Sequence, residues 1–232
     1  MPPSVSVVIP MYNEEAYVER AVAGARAELE RMGGEWEIVV VDDASTDRTP
    51  ALADGLARAD PRVRVVHNTV NRRLGGALKA GFAAASKDLV FYTDADLPVD
   101  LSQLARAVRV LEYQQADILA GYRFDRTTEG TRRAVYTIGY HLLIRLLFRL
   151  RIRDVNFAFK LFRRSLLQRI ELESEGSFID AELLLRARKA GAVTIQLGLD
   201  YFPRAHGASR ASSPAVIGGI LREMARQWRE LR

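Results

Sequence analysis

Two hydrophobic periods alternate along the first half of the chain. Val5–Pro10, Glu37–Val41, Val63–His67 and Leu89–Thr93 are short, nearly continuous apolar runs rich in valine, the length and composition of buried strands. Such runs suit strands covered on both faces, as in a parallel sheet. Between them, apolar residues recur at helical spacing over Asn13–Met32, which Gly33-Gly34 ends, and over Pro50–Ala59, Gly75–Ser86 and Leu101–Gln114. Asp117–Ala120 adds a fifth short strand. Strand and helix in alternation predict an α/β fold: a mostly parallel central sheet flanked by helices, with right-handed crossovers.

The pattern changes after about residue 121. Arg132–Arg151 reads as a basic amphipathic helix, Phe157–Phe162 as a strand, Ile179–Ala190 as a helix and Val193–Leu197 as a strand. Pro203–Pro214 is a polar loop, and Ala215–Leu231 closes the chain as a basic helix. No repeat and no linker interrupts residues 1–232, so one domain is expected, divided into 1–121, 122–212 and the C-terminal helix 213–232.

Charge sharpens that division. The net charge is +5, but Tyr122–Ile170 holds twelve Lys/Arg against three Asp/Glu, a local +9 that leaves −4 for the rest. The second half is therefore a basic helical insert on a mildly acidic body. Only four of the 34 bases are lysines, and arginine is the better bidentate phosphate binder. The absence of cysteine excludes a disulfide framework, cysteine-ligated zinc, iron–sulfur clusters and a thiol nucleophile. Met1-Pro-Pro leads straight into an apolar run without a basic n-region, unlike a signal peptide. Val135–Leu150, the most apolar stretch, is broken by His141, Arg145 and Arg149, short of the ~18 uninterrupted apolar residues of a span. A soluble or peripheral protein of the cytoplasm is expected.

Polar clusters follow three of the strands directly: Pro10-Met-Tyr12-Asn13-Glu14, Asp42-Asp43-Ala-Ser-Thr-Asp47 and Asp94-Ala95-Asp96. Ligands of parallel α/β sheets bind at the carboxyl ends of strands, so the three clusters are expected on one rim. A short turn can aim Asp94 and Asp96 at one point, and two hard oxygen ligands suit Mg²⁺ or Mn²⁺ bridging a diphosphate. Asp42 can accept the imide N–H of a uracil or the N–H groups of a guanine. Pro10 and Tyr12 either floor a base and ribose or simply open a helix; Asp47 reads as a helix cap. Gly75-Gly76 lack the Walker spacing, and close helix packing is their expected role. His67, His141 and His206 are scattered, against a histidine metal site or a triad.

Val7-Val8-Ile9-Pro10-Met-Tyr12-Asn13-Glu14, Val39-Val40-Val41-Asp42-Asp43-Ala-Ser-Thr-Asp47 and Tyr92-Thr-Asp94-Ala-Asp96-Leu97 resemble the family 2 glycosyltransferases of GT-A fold. Gly121-Tyr-Arg123, Asp154-Val-Asn-Phe-Ala-Phe-Lys160-Leu-Phe162, Phe178-Ile-Asp180-Ala-Glu182-Leu and Phe202-Pro-Arg204-Ala-His-Gly207-Ala-Ser209-Arg210 are similar to the polyprenyl-phosphate branch, which contains the dolichol-phosphate mannose synthases and glucosyltransferases. The resemblance covers roughly residues 4–212. It implies transfer of a hexose, glucose or mannose, from a UDP or GDP sugar to a polyprenyl or dolichyl phosphate, with inversion. By motif, Pro10, Tyr12, Asn13, Glu14 and Asp42 would hold the nucleoside, and Lys79 would reach the donor. Asp94 and Asp96 would hold the divalent cation and diphosphate, and Asp180 would join them in catalysis. Arg123, Arg133, Lys160, Arg204 and Arg210 would face donor or acceptor phosphates. Residues 1–121 become the nucleotide-sugar half and 122–212 the acceptor half. Pro98 stands where mannose synthases often carry a glutamine ligand, so water or another group must replace it. Phe157 and Ala158 replace a Ser or Cys and a Gly of the acceptor loop, and paired membrane spans do not follow.

A phosphate acceptor changes what catalysis requires. Hydroxyl acceptors need a general base, whereas a phosphate monoester, with its second pKa near ~6, is already mostly dianionic at neutral pH. The site must instead overcome repulsion between two phosphates, which arginines and a cation do. Asp180 matches the base of hydroxyl-acceptor relatives; here it orients the sugar or acceptor, or caps a helix. Ile138, Leu142 and Leu146 lie on other sides of their helix from Arg145 and Arg149. Such a helix lies in a membrane interface or packs on its own sheet with its arginines in water. The partners implied are a nucleotide sugar, a polyprenyl phosphate and the inner face of a membrane, with an anchoring partner or self-association. Two readings compete: a GT-A glycosyltransferase with a non-lipid acceptor, and a non-catalytic basic membrane-surface or nucleic-acid module, which for nucleic acid would want exposed aromatics between the bases. Here the aromatics sit within apolar runs, and no nucleic-acid partner is expected.

Overall fold

A computed structural model of the chain describes residues 3–124, 131–202 and 214–232, and the side chains of all of these except 131–137, 214 and 215. The first half runs β1 (Val5–Met11), α1 (Val18–Met32), β2 (Trp36–Asp42), α2 (Thr49–Ala59), β3 (Val63–His67), α3 (Arg73–Ala84), β4 (Leu89–Thr93), α4 (Gln103–Tyr113) and β5 (Ile118–Arg123). The second runs α5 (Thr131–Phe148), β6 (Phe159–Arg163), the short α6 (Arg164–Leu167), α7 (Ile179–Lys189), β7 (Thr194–Leu199) and α8 (Pro214–Leu231).

The strands form one seven-stranded sheet in the order β3-β2-β1-β4-β6-β5-β7. Every neighbouring pair is parallel except those of β6, which runs antiparallel to both β4 and β5. Helices cover both faces, which is why the central strands are apolar at successive positions. On one face Val7, Ile9, Ile38 and Val40 meet α1, α2 and α4. On the other, Val8, Val39, Val41 and Val90 meet α3, α5, α7 and α8. Gly81 lets α3 approach most closely: a Cβ there would lie 2.4 Å from Val8 Cγ1.

The strand order places the ends of β2, β1 and β4 side by side, so Asp42, Tyr12 and Asp94 share one rim. Because β6 is reversed, it enters the sheet at this same rim, with Phe159 paired to Thr93 and Lys160 to Tyr92. The segment after β1 departs from expectation: helix α1 begins at Val18 rather than Asn13. Asn13 sits at φ 55° and its side chain accepts the Thr46 N–H at 2.8 Å, a bond made to the neighbouring loop instead of to a helix.

Candidate active site

Each of three rim loops contains a non-glycine residue in the left-handed region: Asn13 after β1 (φ 55°), Ala44 after β2 (59°) and Leu97 after β4 (48°). This conformation costs about 1–2 kcal/mol per residue for an ordinary L-amino acid, and it concentrates where backbone shape serves a site. The first two loops are stitched together. The Asn13 N–H donates to Ser45 Oγ (3.0 Å), the Glu14 N–H to Thr49 Oγ1 (2.9 Å) and the Glu15 N–H to Asp47 (3.2 Å). Asp47 also accepts the Thr49 N–H at 2.9 Å, but Arg48 rather than Asp47 takes the cap position of α2.

Asp42 closes β2 and is only 3% exposed. Its Oδ1 accepts the Ser45 N–H (3.0 Å) and its Oδ2 lies 3.0 Å from Nδ1 of His67. An ionised carboxylate has about four acceptor sites, so these contacts orient the group and leave it able to accept a nucleobase N–H. Asp43 is structural: it accepts Asn68 Nδ2 (2.7 Å) and the Arg72 N–H (2.9 Å). Tyr12 stands half-exposed at the end of β1, beside Asp42 across the parallel pairing of Met11 with Asp42.

Asp94 and Asp96 occupy a tight turn after β4, closed by the Leu97 N–H donating to the Asp94 carbonyl at 3.2 Å. Both are half-buried, and Oδ1 of Asp96 is turned into the protein. Among the described residues no third His, Asp or Glu gathers with them. Two hard carboxylates with the remaining positions open fit Mg²⁺ or Mn²⁺, which keep water and take substrate phosphate oxygens. A cation held by Asp94 and Asp96 would neutralise charge building on a leaving diphosphate.

A buried cluster adjoins this turn. Lys160 is wholly buried and Asp180 only 3% exposed; Nζ donates to Asp180 Oδ1 at 2.6 Å and to the Phe157 carbonyl at 2.8 Å. Burial pushes the Asp180 carboxyl up, and the Lys160 ammonium pulls it the other way. Tyr92 lies against the pair, its ring centroid 5.5 Å from Nζ. Burial, then the charges of Asp180, Asp94 and Asp96, hold its phenol protonated, so the Lys160–Asp180 pair and the Asp94–Asp96 turn act on one ring. At the end of β5, Arg123 donates from Nε to Asp154 Oδ2 (2.7 Å) and from Nη2 to Oδ1 (3.2 Å), with Phe157 and Tyr201 beside its guanidinium.

Residues 6–171 match the family described as Glycosyl transferase family 2. The chain belongs to this family. Glycosyltransferase AglD of Haloferax volcanii is 33% identical over 234 residues, covering 98% of this chain, which spans 37% of AglD's own length. Undecaprenyl-phosphate mannosyltransferase of Micrococcus luteus is 30% identical over 247 residues, covering 98% of this chain and 97% of the relative. Among solved structures, glucosyl-3-phosphoglycerate synthase from Mycobacterium tuberculosis, in complex with Mn²⁺, uridine diphosphate and phosphoglyceric acid, superposes with a TM-score of 0.74. The match covers 99% of this chain and 78% of that one, at 20% identity, and shows the shared GT-A fold.

In this family 2 glycosyltransferase the structure gathers Pro10, Tyr12, Asn13, Glu14, Asp42, Asp94 and Asp96 on one rim, with Asp180 buried beside it. Three of the expected residues meet charged partners within the protein. Lys79 Nζ donates to Glu175 (2.6 Å) and to the Glu173 carbonyl (3.1 Å), because Gly75 and Gly76 let α3 press on that loop. A Cβ on Gly75 would lie 2.3 Å from the Ser174 carbonyl. Lys160 faces Asp180, and Arg123 pairs with Asp154. Asp180 is also not a helix cap, since Phe178 takes that position on α7. Arg204 and Arg210 lie outside the described residues, as does the Arg133 side chain. His67, Asp54 and Asp154 were missed. For His67 the signal existed: it ends β3 as Asp42 ends β2, in direct register.

Proposed function

We propose that this transferase moves a hexose from a UDP or GDP sugar to a polyprenyl phosphate, inverting the anomeric carbon, at the surface of a membrane. The Lys160–Asp180 ion pair carries the choice of acceptor. A general base must reach the acceptor and take its proton. The carboxylate in the base position is instead buried, with an ammonium 2.6 Å from one oxygen. That arrangement suits an acceptor that arrives already ionised, as a phosphate monoester does. The name of the Micrococcus luteus relative supports the same class. In this reading Asp42, Tyr12 and the Asn13–Glu14 loop hold the nucleoside, while Asp94 and Asp96 hold the cation and diphosphate. Asp180 orients the sugar or acceptor, and Arg133, Arg204 and Arg210 draw the acceptor phosphate.

Helix α5 supports the membrane surface. Ile138, Leu142 and Leu146, spaced one turn apart, are 65%, 54% and 68% exposed, while Ile144 and Phe148 are buried in the core. Arg145 and Arg149 are exposed on this same side of the helix, not on another side as expected. An exposed apolar stripe among arginines suits the headgroup boundary of an anionic bilayer. No helix among the described residues is long and apolar enough to cross one.

The test is release of nucleoside diphosphate from UDP-glucose and GDP-mannose with Mn²⁺, comparing a polyprenyl phosphate, the matching polyprenol and a soluble sugar. Turnover only with the phosphate is expected. Equal turnover with the polyprenol or the soluble sugar refutes the lipid-phosphate acceptor.

A further inference from the structure

We propose that His67 is a positioning residue for Asp42, and that the chain of contacts Asp42–His67–Asp54 sets the pH range over which the nucleotide sugar is held tightly. The inference rests on the reading of Asp42 as the nucleobase acceptor.

The register of β2 and β3 puts His67 beside Asp42. Its Nδ1 lies 3.0 Å from Oδ2 of Asp42 and its Nε2 lies 3.1 Å from Oδ1 of Asp54 on α2. A neutral imidazole has a single N–H and satisfies one carboxylate, leaving the other against a lone pair; only the imidazolium donates to both. Two contacts near 3 Å are therefore the geometry of the protonated ring. Asp42 from β2 and Asp54 from α2 are the charged groups acting on it. The hydrogen bond to Asp42 is the largest influence; it and Asp54 raise the His67 pKa above its ordinary value, against the effect of partial burial.

Asp42 is almost wholly buried, and its other oxygen takes the Ser45 N–H. The ring thus fixes the rotation of a carboxylate that must meet a flat nucleobase edge. His67 keeps its proton below its raised pKa and loses it as the pH climbs through that value. Loss turns one charge-assisted bond into a contact between a carboxylate and a lone pair, and makes the base pocket more negative. One charge-assisted hydrogen bond is worth about tenfold or somewhat more in affinity.

Calorimetric titration of the whole chain with UDP-glucose and with GDP-mannose, in Mn²⁺, tests this from mildly acid to mildly alkaline pH, below the range in which the nucleobase itself titrates. Wild-type affinity should fall about tenfold as the pH rises. His67→Asn keeps an N–H near the Nδ1 position without a titrating group and should flatten the profile; His67→Ala should bind weakly throughout. Asp54→Asn removes one of the two carboxylates that raise the His67 pKa and should move the midpoint to lower pH, which a merely structural role would not do. A flat wild-type profile, or an unmoved midpoint in Asp54→Asn, overturns the inference while the transferase reading stands. Failure of both nucleotide sugars to bind at any pH overturns it together with the assignment of Asp42.

Discussion

Replacing Lys160 with methionine keeps most of the side-chain volume and removes the charge, stranding the Asp180 carboxylate beneath Tyr92. Lys160 is wholly buried, Asp180 is 3% exposed, and 2.6 Å separates them. Removing one partner of such a pair costs about 3–5 kcal/mol, because a buried charge is left uncompensated. In a chain of this length 1 kcal/mol shifts Tm by about 2–4 °C. Lys160→Met should therefore melt about 6–20 °C below the wild type at neutral pH. The loss should depend on pH. Without its cation the buried Asp180 is left with burial and the charge of Asp154, both of which push it up, so its folded pKa rises further above the unfolded value. A group shifted in that direction contributes stability below its unfolded pKa and loses it as the pH rises through the folded pKa. The deficit should shrink in acid, where the carboxyl is neutral, and grow toward neutral pH. Lys160→Met with Asp180→Leu buries neither charge and should recover much of the loss. The assay is thermal unfolding followed by far-UV circular dichroism at several pH values, with urea unfolding for the free energies. A Lys160→Met variant within about 1 kcal/mol of wild type, flat with pH, would refute the buried ion pair.

Asp96→Ala should keep the melting temperature and lower Mn²⁺-dependent nucleotide-sugar turnover at least about a hundredfold; full activity would remove Asp96 from the cation. Gly75→Ala places a methyl 2.3 Å from the Ser174 carbonyl and should lose about 1–3 kcal/mol in urea unfolding, while an unchanged midpoint would show that α3 does not press on that loop. Ile138→Ser, Leu142→Ser and Leu146→Ser together remove apolar side chains that are already mostly in water. Stability should hold, while sedimentation with anionic vesicles should weaken at least about tenfold; undiminished vesicle binding would assign the membrane contact to another surface.

The sheet was legible because its central strands are apolar on both faces, and both Leu89–Thr93 and the edge strand Val63–His67 have the bounds that their runs predict. The start of α1 was not, because helical spacing from Asn13 says nothing of a side chain that bonds across to Thr46, 33 positions on. The rim carboxylates were legible for a local reason, since each directly follows a strand. Their partners were not. Lys160 and Asp180 lie 20 positions apart, and Arg123 and Asp154 lie 31 apart. Counting bases in a segment shows how much charge it carries, not which of it is neutralised in the fold. Nor does a strand's sequence reveal its direction: the apolar run of β6 would read the same if it ran parallel to its neighbours.

That reversal has a consequence for how the enzyme can vary. In an all-parallel sheet, the element between two neighbouring strands must carry the chain back to the opposite edge, so its length and path are part of the architecture. Here β5 ends on the rim and β6 begins on it, so α5 belongs to a connection whose two ends share that rim. Such a connection has no sheet edge to cross, so its length can change without altering the order of β5 and β6, provided that Ile144 and Phe148 keep their places in the core. It forms a socket at the lip of the sheet, where a segment of another length could be seated beside the same rim.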